Sequence, residues 1–334
     1  MVIDHEFYMS LAIQEAWKNI ALTYPNPSVG AVILDQDGKL LAVEATQPAG
    51  EAHAELKAIE SALIMMGDTE ISTLQTPHEK HAYILNYHND RLKMATLYVT
   101  LEPCNHEGKT PACSRLVQTL GFSKVFCGTK DPHETAAGGL QMLSHAGIVI
   151  ELGLLQEACE TLLLPFKRWQ ENKPFIFYKL ALTANGVYDG GIITSKSSRQ
   201  LVHQMRSNID LLVIGGETVR SDRPTLDSRL CSGKAPDVLI LSRQKTFDQT
   251  IPLFSVPNRK VLIEENFDRI HAYRFIMIEG TQNMMMLATK IIDWYCFFHS
   301  SDYKEGQTIQ IKQDFKRLCL LPHGDNTITW LKKS

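Results

Sequence analysis

Apolar positions in the N-terminal half of the chain fall into short runs that switch between helical and strand periods. Over residues 6–21, Phe7, Leu11, Ala12, Ala16 and Ile20 recur on approximately one helical face, and Pro25 and Pro27 end the run. Residues 29–34 form a β-branched apolar run, Asp35-Gln36-Asp37-Gly38 reads as a hairpin turn, and residues 40–45 return as a second strand. The pattern then predicts a helix over 52–66, strands over 97–101, 124–128 and 148–150, and a helix over 141–146. Strands alternating with helices predict a three-layer α/β domain.

A charged helix end bounded by Pro165 and Pro174 predicts a boundary, giving domains over 1–165 and 174–334. Residues 175–186 open the second domain with a strand and a glycine turn, and 210–216 form a buried strand ending in Gly215-Gly216. Further apolar strands are expected at 237–241 and 260–263, with only brief ones from Trp294 onward. Residues 274–284 read as a strand, a glycine and a helix start, a usual place for a diphosphate. No G-x-G-x-x-G fingerprint occurs, so a Rossmann-type dinucleotide domain is not supported.

A chain of 334 residues is long for one average domain, in keeping with that division. Hydrophobic content of 44% and charged content of 21% are those of a soluble globular protein. The net charge of −3 gives no general pull toward nucleic acid or an anionic membrane. Seven cysteines without a regular framework point to a reducing cytoplasm. The first residues lack a basic region followed by an apolar run, and no apolar stretch is long enough to span a bilayer, so neither export nor a membrane span is expected.

Chemistry concentrates between His53 and Cys113. His53-Ala54-Glu55 is followed by Glu102-Pro103-Cys104-Asn105-His106-Glu107-Gly108-Lys109-Thr110-Pro111-Ala112-Cys113. One imidazole and two thiolates suit a tetrahedral zinc ion whose fourth position stays open for water, whereas structural zinc sites normally close all four positions with protein ligands. Hydrolysis of an amidine-type C–N bond also needs a proton carrier, and Glu55, two residues after the first ligand, is placed for it. A histidine-x-glutamate followed by a proline-cysteine pair is the zinc nucleobase-deaminase signature; here eight residues separate the cysteines where that signature has two.

The long cysteine segment resembles that of the bifunctional riboflavin-biosynthesis deaminase-reductases, and Tyr24-Pro25-Asn26-Pro27-Ser28-Val29-Gly30-Ala31-Val32-Ile33 looks like the substrate-side segment of the same family. Residues 131–139 resemble a turn of that family, and 175–186 resemble the start of its reductase half. The resemblance implies an α/β protein, a cytidine-deaminase-like zinc domain followed by a dihydrofolate-reductase-like domain. It further implies Zn2+ on His53, Cys104 and Cys113, Glu55 as the catalytic residue, and NADPH against Leu182, Thr218, Asp222, Gly280 and Thr281. Substrate contacts are implied at Asn26, held in an extended loop between two prolines, and at His106, Lys109, Arg206, Leu226, Arg229 and Glu279. Arg206 with Arg229 would grip a ribose phosphate, and Arg220 and Arg223 are candidates for a 2′-phosphate. The implied substrate is a diaminopyrimidinone ribosyl-phosphate, with no nucleic acid or membrane partner and with a homo-oligomer left open.

The chain departs from the family pattern in two places. A short connection normally joins helix to strand where residues 67–94 stand; their polar residues, with His78, His81 and His88, read as a solvated insertion or lid rather than a second metal site. In the second half Ile192 stands where a cofactor-stacking tryptophan is expected, the segment Gly190-Gly191-Ile192-Ile193-Thr194-Ser195 is shortened upstream, Asn185 replaces an aspartate and Thr281 a glycine. Three competing readings follow: a deaminase whose C-terminal domain is a non-catalytic binding or assembly domain, a deaminase of transfer RNA, and a structural zinc module. Charge balance and cysteine spacing speak against the transfer-RNA reading.

Overall fold

The computed structural model describes residues 4–106, 111–132, 137–189, 191–310 and 313–334. Lys109, Gly190 and part of the 131–139 turn therefore lie outside the described residues. The chain divides into two units, Met1–Lys167 and Arg168–Ser334.

Unit 1 begins with α1 (His5–Asn19), capped by Asp4, whose carboxylate accepts from the Phe7 N–H at 3.1 Å. Its buried face carries Met9, Ala12, Ile13, Ala16 and Trp17, while Phe7 is 52% exposed. The inward face is thus rotated from the expected one, because Met9 and Trp17 bring more apolar volume to it than Phe7 and Leu11 bring to theirs. A Cβ on Gly30 would stand 1.8 Å from the Ala12 carbonyl oxygen, so only glycine lets α1 lie this close to the strand that follows.

The strands β1 (Gly30–Leu34), β2 (Leu40–Ala45), β3 (Thr96–Leu101), β4 (Lys124–Thr129) and β5 (Val149–Leu152) form one sheet in the order β2-β1-β3-β4-β5. The β1–β2 and β1–β3 pairs are antiparallel; β3–β4 and β4–β5 are parallel. Between β2 and β3 run α2 (Ala54–Met65) and α3 (Pro77–Tyr87); later come α4 (Cys113–Thr119), α5 (Gly139–His145), α6 (Gln156–Leu162) and α7 (Leu164–Gln170), the last straddling the two units. The 67–94 segment is not a solvated lid. Thr76 and Glu79 form a reciprocal capping box for α3, and Ile71, Ile84 and Leu92 join the buried core of the unit. Three apolar residues spaced among many polar ones are enough to seat it.

Unit 2 is built on an eight-stranded sheet. Its elements are β6 (Phe175–Leu182), α8 (Lys196–Asn208), β7 (Leu211–Gly215), α9 (Gly216–Asp222), β8 (Asp237–Leu241), β9 (Val261–Glu264), β10 (Phe275–Glu279), α10 (Gln282–Ala288), β11 (Trp294–Ser300), β12 (Phe315–His323) and β13 (Asn326–Lys333). The order is β12-β13-β11-β6-β10-β7-β8-β9, parallel except for the pairings of the final hairpin. The C-terminal strands are long, not brief: β12 has nine residues and β13 eight, and Trp294 and Trp330 are buried. Parallel strands covered on both faces read as near-continuous apolar runs, and β6, β7, β8 and β10 do so.

Candidate active sites

In unit 1 three chain segments meet. His53 is the extended residue that precedes α2, Cys104 follows β3 by a short loop, and Cys113 is the first residue of α4. His53 Nδ1 lies 3.6 Å from each Sγ, and the three donor atoms all fall within 4.8 Å of one another. The loop between the cysteines is tied at both ends: the Cys113 N–H donates to Cys104 Sγ at 3.4 Å, the Ser114 N–H to the Cys104 carbonyl at 3.1 Å, and the Ser114 hydroxyl to Asn105 Oδ1 at 3.0 Å. Buried Glu102 accepts from the N–H groups of Asp131, Gly138 and Leu140, so one carboxylate anchors the turn beside the site.

Glu55 lies in the first turn of α2 and is 4% exposed. Burial and the Cys104 charge push its carboxyl up to about 7, against the neighbouring His53. The bond from Cys113 and the imidazole pull the Cys104 thiol down to about 4 despite burial. Sharing that bond, together with burial and the Glu55 charge, pushes Cys113 upward. Burial works against a charged His53, but the Cys104 hydrogen bond and charge outweigh it and raise its pKa. One imidazole nitrogen and two sulfurs converging in an anionic pocket fit zinc, with no fourth protein ligand in the cluster among the described residues.

Of the other expected contacts of this unit, Asn26 and His106 fall among the described residues. Asn26 sits in a hydrogen-bonded turn, not an extended loop: its N–H donates to the Thr23 carbonyl at 2.8 Å. His106 is exposed.

In unit 2 seven of the expected residues line one cleft of about 380 Å³: Arg206, Leu226 and Glu279, with Thr218, Asp222, Gly280 and Thr281. Arg206 Nη2 donates to both Glu279 oxygens, at 3.1 and 2.9 Å. Burial would raise the Glu279 pKa, but Arg206 and Lys179 hold it below the usual carboxylate range. Gly280 has φ 156, and a Cβ there would meet Met284 Cβ at 2.8 Å; the Tyr178 hydroxyl donates to the Gly280 and Thr281 carbonyls, fixing the β10–α10 turn. Leu182 is buried away from the lining, and Arg229 stands outside it, paired with Asp227 at 2.7 Å. Arg220 stacks on Phe247, and Arg223 pairs with Asp248, so neither reaches the cleft. Ile192 stands at the rim, 66% exposed.

Sequence reasoning missed Lys179, Arg199 and His203, which also line the cleft. Lys179 pairs in register with Glu279 across β6 and β10, and a lone lysine inside an apolar strand was its signal. Arg199 and Arg206 each keep a buried Nε without a hydrogen-bond partner, donors suited to an anionic ligand. Open polar turn geometry beside these cations fits a phosphorylated substrate and a dinucleotide. Arg259 was missed as well; it donates to the Thr225, Leu226 and Leu253 carbonyls and so holds Leu226, at φ 55, against the cleft.

Two family models match the chain: the cytidine and deoxycytidylate deaminase zinc-binding region over residues 2–129, and the RibD C-terminal domain over 174–301. The riboflavin biosynthesis protein RibD of a Synechocystis strain is 33% identical over 277 residues, 80% of this chain and 68% of that one. Those of Actinobacillus pleuropneumoniae and Bacillus amyloliquefaciens are 35% and 34% identical, and there the match spans 58% and 61% of the relative's length. The crystal structure of a Thermotoga maritima diaminohydroxyphosphoribosylaminopyrimidine deaminase/5-amino-6-(5-phosphoribosylamino)uracil reductase matches with TM-score 0.63 and 26% identity, covering 98% of both chains. Acinetobacter baumannii RibD shares the fold, with TM-score 0.61 at 22% identity. No helix among the described residues is long and apolar enough to cross a membrane. A zinc-binding deaminase domain followed by a reductase domain, with the Zn2+ and NADPH that such domains imply, places this chain in the RibD family of riboflavin biosynthesis.

Proposed function

We propose that the chain catalyses two consecutive steps: hydrolytic deamination of a diaminopyrimidinone ribosyl-phosphate by unit 1, then NADPH-dependent reduction of the ribosyl side chain to ribityl by unit 2. The observation that carries the reading is buried Glu55 beside a His53, Cys104 and Cys113 set that leaves a coordination position for water or substrate. Zinc, when bound by His53 Nδ1 and the two sulfurs, supplies a Lewis acid beside the reacting carbon. A Glu55 oxygen takes a proton from the attacking water and returns it to the departing amino group, so the carbon gains oxygen and ammonia leaves. Asn26 reads the pyrimidine edge, and His106 with Lys109 contacts the ring and ribosyl-phosphate.

In unit 2, Arg206, Leu226 and Glu279 bind the deaminated product, and Arg229 adds charge for its phosphate. Thr218, Asp222, Gly280 and Thr281, which line the cleft, hold NADPH, which supplies the hydride when bound. The protein's own contribution there is to orient the two reactants. Seven free cysteines support work in a reducing cytoplasm, and the net charge of −3 supports the absence of a nucleic-acid partner; self-association is decided by sedimentation. Zinc-loaded protein given the diaminopyrimidinone ribosyl-phosphate should release ammonia without cofactor and then oxidise NADPH. Ammonia alone would remove the reductase half of the proposal, and neither signal would overturn the substrate.

A further inference from the structure

We infer that the segment between α2 and β3 braces the metal ligands, with His81 as the positioning residue that sets the cysteine pair; this rests on the zinc reading above. Helix α3 reaches both ligand-bearing parts of the unit. Lys80 Nζ lies 2.9 Å from Glu60 Oε1 on α2, the helix that starts after His53 and carries Glu55. One residue on, buried His81 places Nε2 3.4 Å from the Ala112 carbonyl oxygen. A carbonyl only accepts, so Nε2 carries the proton and donates.

The Ala112 carbonyl and the Cys113 N–H belong to one planar peptide unit and point to opposite sides of it. That N–H donates to Cys104 Sγ at 3.4 Å. A single peptide plane therefore connects His81 to both sulfur ligands: one end accepts from the imidazole, the other donates to Cys104, and the Cys113 side chain grows from the next Cα. Without the His81 bond the plane keeps only its bond to Cys104 and the first turn of α4 as holds, so it can tilt, weakening the N–H bond to Cys104 and shifting the Cys113 sulfur. Partners that orient metal ligands are typically worth about 10- to 100-fold in affinity.

The test is zinc release to a chromogenic chelator from the full-length zinc protein, with the thiolate-to-metal charge-transfer band of the cobalt-loaded protein as a second readout. His81→Leu keeps buried volume and helix propensity but deletes the donor, and should release zinc on the order of tenfold faster with a shifted cobalt band. His81→Gln restores an N–H donor and should bring rate and band back toward wild type. Tyr83→Phe, also on α3, removes the hydroxyl that donates to Asp68 Oδ1 at 3.0 Å outside that helix, and should leave both unchanged. Wild-type release from His81→Leu, no rescue by His81→Gln, or equal acceleration by Tyr83→Phe would each overturn the inference. Should His81→Leu fail to fold, Lys80→Met, which frees the α2 end of the brace, must still speed release, and unchanged release would overturn it. A wild-type chain that holds no zinc would overturn the zinc reading itself, whereas one zinc per chain with no response to His81 sinks only the brace.

Discussion

The two units place reactive charge in different ways. Unit 1 draws its site from two short motifs, His53 and Glu55 two residues apart at the start of α2 and Cys104 and Cys113 nine apart between β3 and α4, with 51 residues from His53 to Cys104. Unit 2 assembles its cleft from five elements, and its central ion pair joins Arg206 to Glu279 across 73 residues of sequence. A metal site needs few ligands of rare type at short range, so its determinants cluster. A cleft that binds by charge, shape and backbone draws on common residues brought together only by the sheet.

The sharpest way to break the comparison is Glu55→Gln. Ammonia release should fall about 10²- to 10⁴-fold with zinc content unchanged by metal analysis, while NADPH oxidation on supplied deaminated product persists. If both activities fell, the two sites would not be separable as drawn. Next comes Glu279→Ala, which leaves Arg206 and Lys179 buried without their carboxylate and should destabilise unit 2 by about 3–5 kcal/mol, read by denaturant unfolding. Arg259→Met removes the clamp on the 225–226 backbone, costing about 1–3 kcal/mol and raising KM in the reductase assay with ammonia release untouched. The smallest effect belongs to Ile192→Trp at the exposed rim: an aromatic face for the cofactor should lower the NADPH KM by roughly 1 kcal/mol equivalent or less.

Legibility followed the same division. The His53, Glu55, Cys104 and Cys113 set was readable because residue type and spacing together leave little else for them to do, and the strands of unit 1 were readable from β-branched runs between turn residues. The face of α1 was misread because small alanines fit either stripe and the deciding volumes are those of Met9 and Trp17. Residues 67–94 were read from their polar majority, although Ile71, Ile84 and Leu92 decide where the segment sits. Lys179 and Arg259 act through partners distant in sequence, Arg199 meets the cleft only through the fold, and no local pattern marks them as a set. The long hairpin of β12 and β13 was hidden by alternating exposure, which weakens each strand's apolar run.

The strand order of unit 2 also governs when it can form. Its central strand β6 is bordered by β10 and β11, which begin about a hundred residues later, while in unit 1 the longest such step, from β1 to β3, is shorter, Ala31 pairing with Val99. During synthesis the deaminase sheet can close soon after β5 leaves the ribosome, but β6 emerges with both of its edges bare and stays so until β10 and β11 are made. Its apolar sequence, Phe175-Ile176-Phe177-Tyr178, is therefore a stretch of the nascent chain that calls for chaperone cover.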